Sequence, residues 1–230
     1  MRVVGIHQPQ YLPYLGYFHK IAQCDVFVHL DDVQFQKGGV QNRNKIKNIT
    51  GWNWLTVPVT QNINQNINEV QIINKVNWAD KHWRALQTNY GKAPFFKTYS
   101  GLFQQIYGKK WNNLADLNIE FAERICDVLD IHTEFVLSSK IETEGTSTER
   151  LVSVCQNLNA DAYIAGRGGK NYMKLGLFEK EGIEIIWQDF THPVYQQQFP
   201  EVEFIPNLSI IDLLFNCGDK TREFIKKTEL

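Results

Sequence analysis

Apolar residues open the chain as a short run, Val3-Val4-Gly5-Ile6, and then give way to a polar, aromatic segment punctuated by Pro13 and Gly16. Apolar positions return at helical spacing at Leu15, Phe18 and Ala22, with Pro13 near the first turn. A second run, Val26-Phe27-Val28-His29-Leu30, follows and ends in Asp31-Asp32. The pattern predicts strand, loop, helix, strand, a βαβ unit. After a polar stretch rich in Asn and Gln, residues 54–59 read as a third strand, and Ile67, Val70, Ile72 and Ile73 as a further short one. Residues 79–131 read as helical; Leu114, Leu117, Phe121, Ile125 and Val128 recur every three or four positions. Residues 133–137 return to strand. A helix carrying Leu151, Val154, Cys155 and Leu158 follows, with Thr146-x-x-Glu149 as a capping box at its start. Residues 162–165 and 182–187 are the last strands, and residues 208–216 a short buried helix stopped by Gly218. The expected fold is α/β: one domain over residues 1–230, a mainly parallel, nucleotide-binding-like sheet, and a helical insertion around residues 79–131.

Composition narrows the functional classes. The formal net charge is −1, which gives no bulk electrostatic case for nucleic acid or an anionic membrane. No apolar stretch reaches the 18 residues a membrane helix needs, and the chain starts on a strand rather than a signal peptide. The four cysteines form no C-x-x-C pair. Cys24, Cys126 and Cys155 sit among apolar residues and read as reduced core thiols of a cytoplasmic protein.

Ligands of parallel α/β folds bind where the strands end, beside the first helix. That rule singles out the loop after the first strand, with His7, Gln8, Tyr11, Gly16 and Tyr17. His7 is a candidate for stabilising phosphate charge; a turn tied by hydrogen bonds is the structural alternative. Asp31 and Asp32 end the second strand, where at most one can face a site because successive side chains alternate. Asp32 is the candidate base. Arg43 and Asn44 offer bidentate and amide recognition of a phosphate or sugar. Arg150 sits in a helix's first turn, where a cation opposes the helix dipole unless an anion offsets it. Gly166, Arg167, Gly168, Gly169 and Lys170 form a glycine-rich, cationic loop after a strand, followed by Tyr172. It is not a Walker loop, because the G-K-[ST] ending is absent. His192 is a second candidate acid or base. Asp212 and Asn216 lie on one face of an otherwise apolar helix and are expected to bond loops beneath the site. No His/Cys cluster has the spacing of a metal site.

At these same residues the chain resembles the WbqC-like family. The matching stretches are His7-Gln8-Pro9-Gln10-Tyr11-Leu12-Pro13 with Gly16-Tyr17-Phe18, Asp31-Asp32-Val33-Gln34-Phe35, and Asn42-Arg43-Asn44. They continue in Trp54-Leu55-Thr56-Val57-Pro58-Val59, Gly166-x-Gly168-Gly169 with Tyr172, His192-Pro193-x-Tyr195, and residues 209–218. The resemblance implies a bacterial protein associated with O-antigen (lipopolysaccharide) or other surface-polysaccharide biosynthesis. The first 44 residues are also similar to pantothenate synthetase and its relatives, which activate a carboxylate with ATP and pass the acyl group to an amine.

The expectation is therefore an amide-forming acyl or aminoacyl transferase acting on a nucleotide-linked amino sugar. His7 and Arg150 would stabilise phosphate charge, Arg43 and the loop at 166–170 would hold the nucleotide, and Asp32 or His192 would take the amine proton. ATP with Mg²⁺ is the candidate cofactor pair, and the partners are small molecules: the sugar nucleotide and an amino acid or acyl donor. A nucleotidyltransferase that activates a sugar and a non-catalytic scaffold of a polysaccharide assembly complex are the alternatives. Oligomeric state is left open.

Overall fold

A computed structural model describes residues 1–60 and 64–225. Five parallel strands form the central sheet: β1 (Val3–His7), β2 (Val26–His29), β5 (Glu134–Leu137), β6 (Ala162–Ala165) and β7 (Glu184–Trp187), in the order β5-β2-β1-β6-β7. The expected α/β architecture and its parallel sheet are present, in a single domain. Helix α1 (Leu15–Ala22) connects β1 to β2, as the opening pattern predicted. Helices α2 (Trp78–Tyr90), α3 (Phe96–Gly108) and α4 (Leu114–Leu129) fill the helical stretch between β2 and β5. Helix α5 (Thr148–Asn157) leads to β6, α6 (Leu175–Lys180) to β7, and the buried α7 (Ile210–Cys217) closes the chain. No helix among the described residues is long and apolar enough to cross a membrane.

The two faces of the sheet carry separate cores. Val3, Phe27 and Ile164 pack against α1, α4 and α7, with Phe18, Phe121 and Phe215 at the centre. Val4, Ile6, Val28 and Tyr163 pack against α5 and α6 through Val154, Cys155 and Phe178. Alternation along each strand sends successive side chains to opposite cores. Cys24, Cys126 and Cys155 are all buried, as expected of core thiols.

Gly5 is required by close approach. A Cβ there would lie 2.3 Å from the Cys24 sulfur and 3.2 Å from Phe27. Gly5→Ala is expected to destabilise by about 1–3 kcal/mol through overpacking, read as a lowered urea midpoint at an unchanged slope.

Three local expectations give way. Residues 43–56 form an antiparallel hairpin, β3 (Arg43–Asn48) with β4 (Gly51–Thr56), pairing Arg43 with Thr56 and Lys45 with Trp54. The expected strand at 54–59 thus begins and ends earlier. Residues 67–69 are a 3-10 turn with isolated bridges from Val59 to Ile72 and Gln71 to Asn113, in place of a strand. The predicted capping box does not form: Ser147, at φ 52°, takes the cap position without a side-chain bond, and only the Thr146 carbonyl receives the Glu149 N–H.

Candidate active site

The strand order reverses at β1: the chain runs from β1 outward through β2 to β5, then crosses to β6 on the other side. Open parallel sheets bind ligands outside the carboxyl ends of the strands at such a switch point. Here the two strands also part. The β1–β6 register ends at Gly5 with Ile164, while β1–β2 continues to His7 with His29. The His7 carbonyl accepts the Leu30 N–H on the β2 side, but the Ile6 carbonyl faces the fork. Its partner is the Lys20 ammonium, 2.8 Å away, reached from α1.

A cavity of about 290 Å³ opens at this fork. Its walls are the β1 end (His7), α1 (Gly16, Tyr17 and Lys20), the turn after β6 (Gly166, Arg167 and Gly168) and the segment after β7 (Gln188 and Phe190). A hollow of about 520 Å³ lies at the opposite, amino-terminal end of the sheet, where Asp25, His132 and Arg222 line it. The smaller cavity is the better site despite its size, because the first turn of α1 meets the carboxyl ends of β1, β6 and β7 there.

His7 is held in one tautomer at the cavity wall. Its Nδ1 lies 3.0 Å from the Gln8 carbonyl. A carbonyl only accepts, so Nδ1 carries the proton and Nε2 keeps its lone pair. Burial, and then the neighbouring Lys20 charge, bring its pKa down to about 4, so the ring is neutral at neutral pH. Tyr17 holds it edge-on with ring centroids 5.1 Å apart. Gln188 Nε2 donates to the Gly16 carbonyl at 2.8 Å and sits 3.2 Å from His19 Nδ1, tying the β7 end to α1.

The glycine turn separates into two kinds of position. A Cβ at Gly169 would meet the Met173 sulfur at 2.6 Å and Trp187 at 3.3 Å, so a side chain there requires Met173 to shift. At Gly166 and Gly168 a Cβ would meet nothing within 4 Å, and neither has positive φ. Both line the cavity. Neither packing nor a positive φ accounts for glycine at these two positions, and the bare backbone leaves room for a close approach from the cavity. Arg167 pairs with Asp189, both exposed. Lys170 lies 5.1 Å over the Trp187 ring, and Tyr172 is exposed.

Other expected residues lie elsewhere. Tyr11 is wholly buried, its hydroxyl 2.6 Å from that of Tyr107 and 2.8 Å from His82 Nδ1. Gln8 accepts from Gln41 Nε2 at 2.8 Å. Arg43 donates to the Gly38 carbonyl and stacks 4.3 Å from the Trp54 ring, on the hairpin. Asn44 donates to the Leu12 carbonyl at 2.7 Å. Arg150 does find an anion in its helix's first turn, and that anion is Asp32 of the same chain. Asp31 is buried and accepts from the Ser139 N–H (3.0 Å) and hydroxyl (2.7 Å), while the Ser138 hydroxyl lies between both aspartates. This cluster locks the β2 and β5 ends together beside the site. His192 bonds the Pro193 carbonyl through Nδ1 at 2.9 Å, in a ring cluster with Phe190, Tyr195 and Phe204, one ring removed from the cavity. Asp212 and Asn216 bond Tyr195 and Gln198 of the loop that follows Phe190, the loop-tying role expected of them.

The sequence pattern does not single out Lys20 or Gln188. A lysine late in a helix reads as solvent-facing, and only the topology carries it to the fork. Among the described residues no group of three or more His, Cys, Asp or Glu side chains could hold a metal ion.

A model of the WbqC-like protein family matches residues 8–224. An uncharacterized protein of Mycobacterium tuberculosis is 36% identical over an alignment of 230 positions that covers 98% of each chain. No solved structure matches.

Proposed function

The chain belongs to the WbqC-like protein family, and from that premise we propose that it is a transferase of bacterial surface-polysaccharide biosynthesis. It forms an amide on an amino sugar, presented as a sugar nucleotide, from an activated acyl or aminoacyl donor. The observation that carries this reading is the switch-point cavity, where Gly166 and Gly168 lack any conformational or packing reason to be glycine and a neutral His7 stands opposite. Bare backbone there lets a phosphate-bearing ligand approach the turn closely.

The chemistry follows from the His7 tautomer. The sugar amine attacks the donor's carbonyl carbon, the C–N bond forms, and the leaving group departs with its electron pair. His7 Nε2 accepts the proton the amine must lose, while the Gln8 carbonyl holds Nδ1–H and steadies the imidazolium formed. This assigns the proton transfer to His7 rather than to Asp32, whose carboxylate is engaged by Arg150. ATP and Mg²⁺ enter only if the protein activates its own donor.

His7→Ala is expected to lower turnover by about 10²–10⁴-fold, the usual contribution of a positioned base. The assay is mass spectrometry of the sugar nucleotide incubated with ATP and amino acids, or with preformed acyl donors. Unchanged turnover in His7→Ala contradicts the assignment, and a product that gains a nucleotide in place of an amide points to sugar activation.

A further inference from the structure

We infer that Lys20 is the anchor for an anionic oxygen of the ligand, its ammonium held between the Ile6 carbonyl and that oxygen. The inference rests on reading the fork cavity as the substrate site. Lys20 is 4% exposed yet lines the cavity. An ammonium has three donors. Among the described residues, one is used, on Ile6 O, and no carboxylate lies within ion-pair distance. The charged and titratable groups around it are His7 on β1, Cys24 on α1, Cys155 on α5 and Tyr163 on β6, whose ring is 5.6 Å from Nζ. None of them is a carboxylate. Two unused donors on a buried cation at a cavity wall are costly to the free protein and complementary to a phosphate or carboxylate oxygen. Burial, only partly opposed by the two thiols, lowers the Lys20 pKa to about 8. Near neutrality the ammonium form predominates, and an anion beside it would favour that form further. Ligand capture is therefore linked to proton binding at this residue.

The test uses the full chain and two probes that do not titrate between pH 7 and 9: sulfate, a tetrahedral oxyanion standing in for phosphate, and acetate for a carboxylate donor. Binding is followed by NMR titration in wild type, Lys20→Met, Lys20→Gln and Gly168→Trp, with thermal unfolding to confirm that each variant folds. The inference expects at least one probe to bind wild type, to weaken by about tenfold per pH unit well above pH 8, and to be lost in both Lys20 variants. The probe that binds identifies the oxygen as phosphate-like or carboxylate. Retained binding in a folded Lys20 variant, with loss in Gly168→Trp, overturns the role of Lys20 and leaves the cavity as the site. Binding unchanged in Gly168→Trp, or absent for both probes in wild type, overturns the inference and withdraws support from the cavity itself.

Discussion

Lowering the pH from 7 to about 4 is expected to remove most of the protein's stability. Three histidines, His7, His29 and His82, have pKa values brought down by burial from 6.5 to about 4. The unfolded chain binds protons on them below about 6.5, while the folded chain does not until about 4. Between those values the unfolded state holds more protons, so stability falls as pH falls; above 6.5 their contribution is fully present. Each displacement is worth about 3 kcal/mol, and three together approach about 10 kcal/mol, comparable to the whole stability of a typical domain. His7 and His29 end neighbouring strands, and a charge on His7 disfavours protonation of His29, so the two take up protons in separate steps and the loss spreads over the pH range. His29 offers the sharpest variant. It is wholly buried, neither ring nitrogen has a hydrogen-bond partner, and its ring stacks on Phe135 with centroids 5.3 Å apart. The Glu123 carboxylate is 4.0 Å from Nε2, beyond hydrogen-bond reach, and Asp31 only partly opposes the effect of burial. His29→Phe is expected to hold or raise stability at pH 7.5 and to move acid unfolding to lower pH. Urea unfolding from pH 7.5 to 4.5 checks both, and a flat wild-type profile contradicts the expectation.

Asp212→Ala is expected to cost about 3–5 kcal/mol, the usual penalty for removing one partner from a buried charged network. Asp212 is wholly buried in α7 and accepts from the hydroxyls of Tyr90 (2.9 Å) and Tyr195 (2.8 Å). Lys47, 1% exposed, is electrostatically coupled to it and donates to Gln197 Oε1 (3.0 Å) and the Val202 and Glu203 carbonyls (3.1 Å each). Gln197 in turn accepts the Ile205 N–H at 3.0 Å. The network fastens the long irregular segment after β7 onto the hairpin and α7, and that segment begins with Gln188 and Phe190 of the cavity wall. Asp212→Ala leaves two tyrosine hydroxyls and a buried ammonium without their carboxylate. Urea denaturation gives the magnitude, and limited proteolysis should show earlier cleavage within residues 190–206. A change under about 1 kcal/mol contradicts this account of the network.

These elements show what the sequence carried and what it did not. The sheet was legible because each parallel strand is a short apolar run bounded by turn residues. The helical insertion was legible because α4 keeps a strict three-to-four spacing. The hairpin strand Arg43–Asn48 was not, because R-N-K-I-K-N has one apolar residue and its inward face is built from Asn44 and Ile46. The glycine turn could be placed at a strand end, but only coordinates separate Gly169, crowded by Met173, from Gly166 and Gly168, which face open space. The helix dipole points to an anion beside Arg150 and suggests a ligand phosphate, but sequence spacing cannot show that Asp32, 118 residues away, occupies that place. Lys20 depends on two strands parting beyond Gly5 and Ile164, a feature of register with no local signature.

Thermal unfolding with ATP, UDP-sugars and dTDP-sugars, with and without Mg²⁺, in wild type and Gly168→Trp, tests the assignment of the fork cavity most directly. Gly168 lines the cavity and has open space around its Cβ position, so an indole there is expected to block the cavity. A ligand at 100 times its Kd adds about 2.7 kcal/mol, a rise of several degrees for a chain of this size. The account predicts such a rise with a nucleotide-bearing ligand in wild type and none in Gly168→Trp. An equal rise in both proteins, or no rise with any of these ligands, contradicts it.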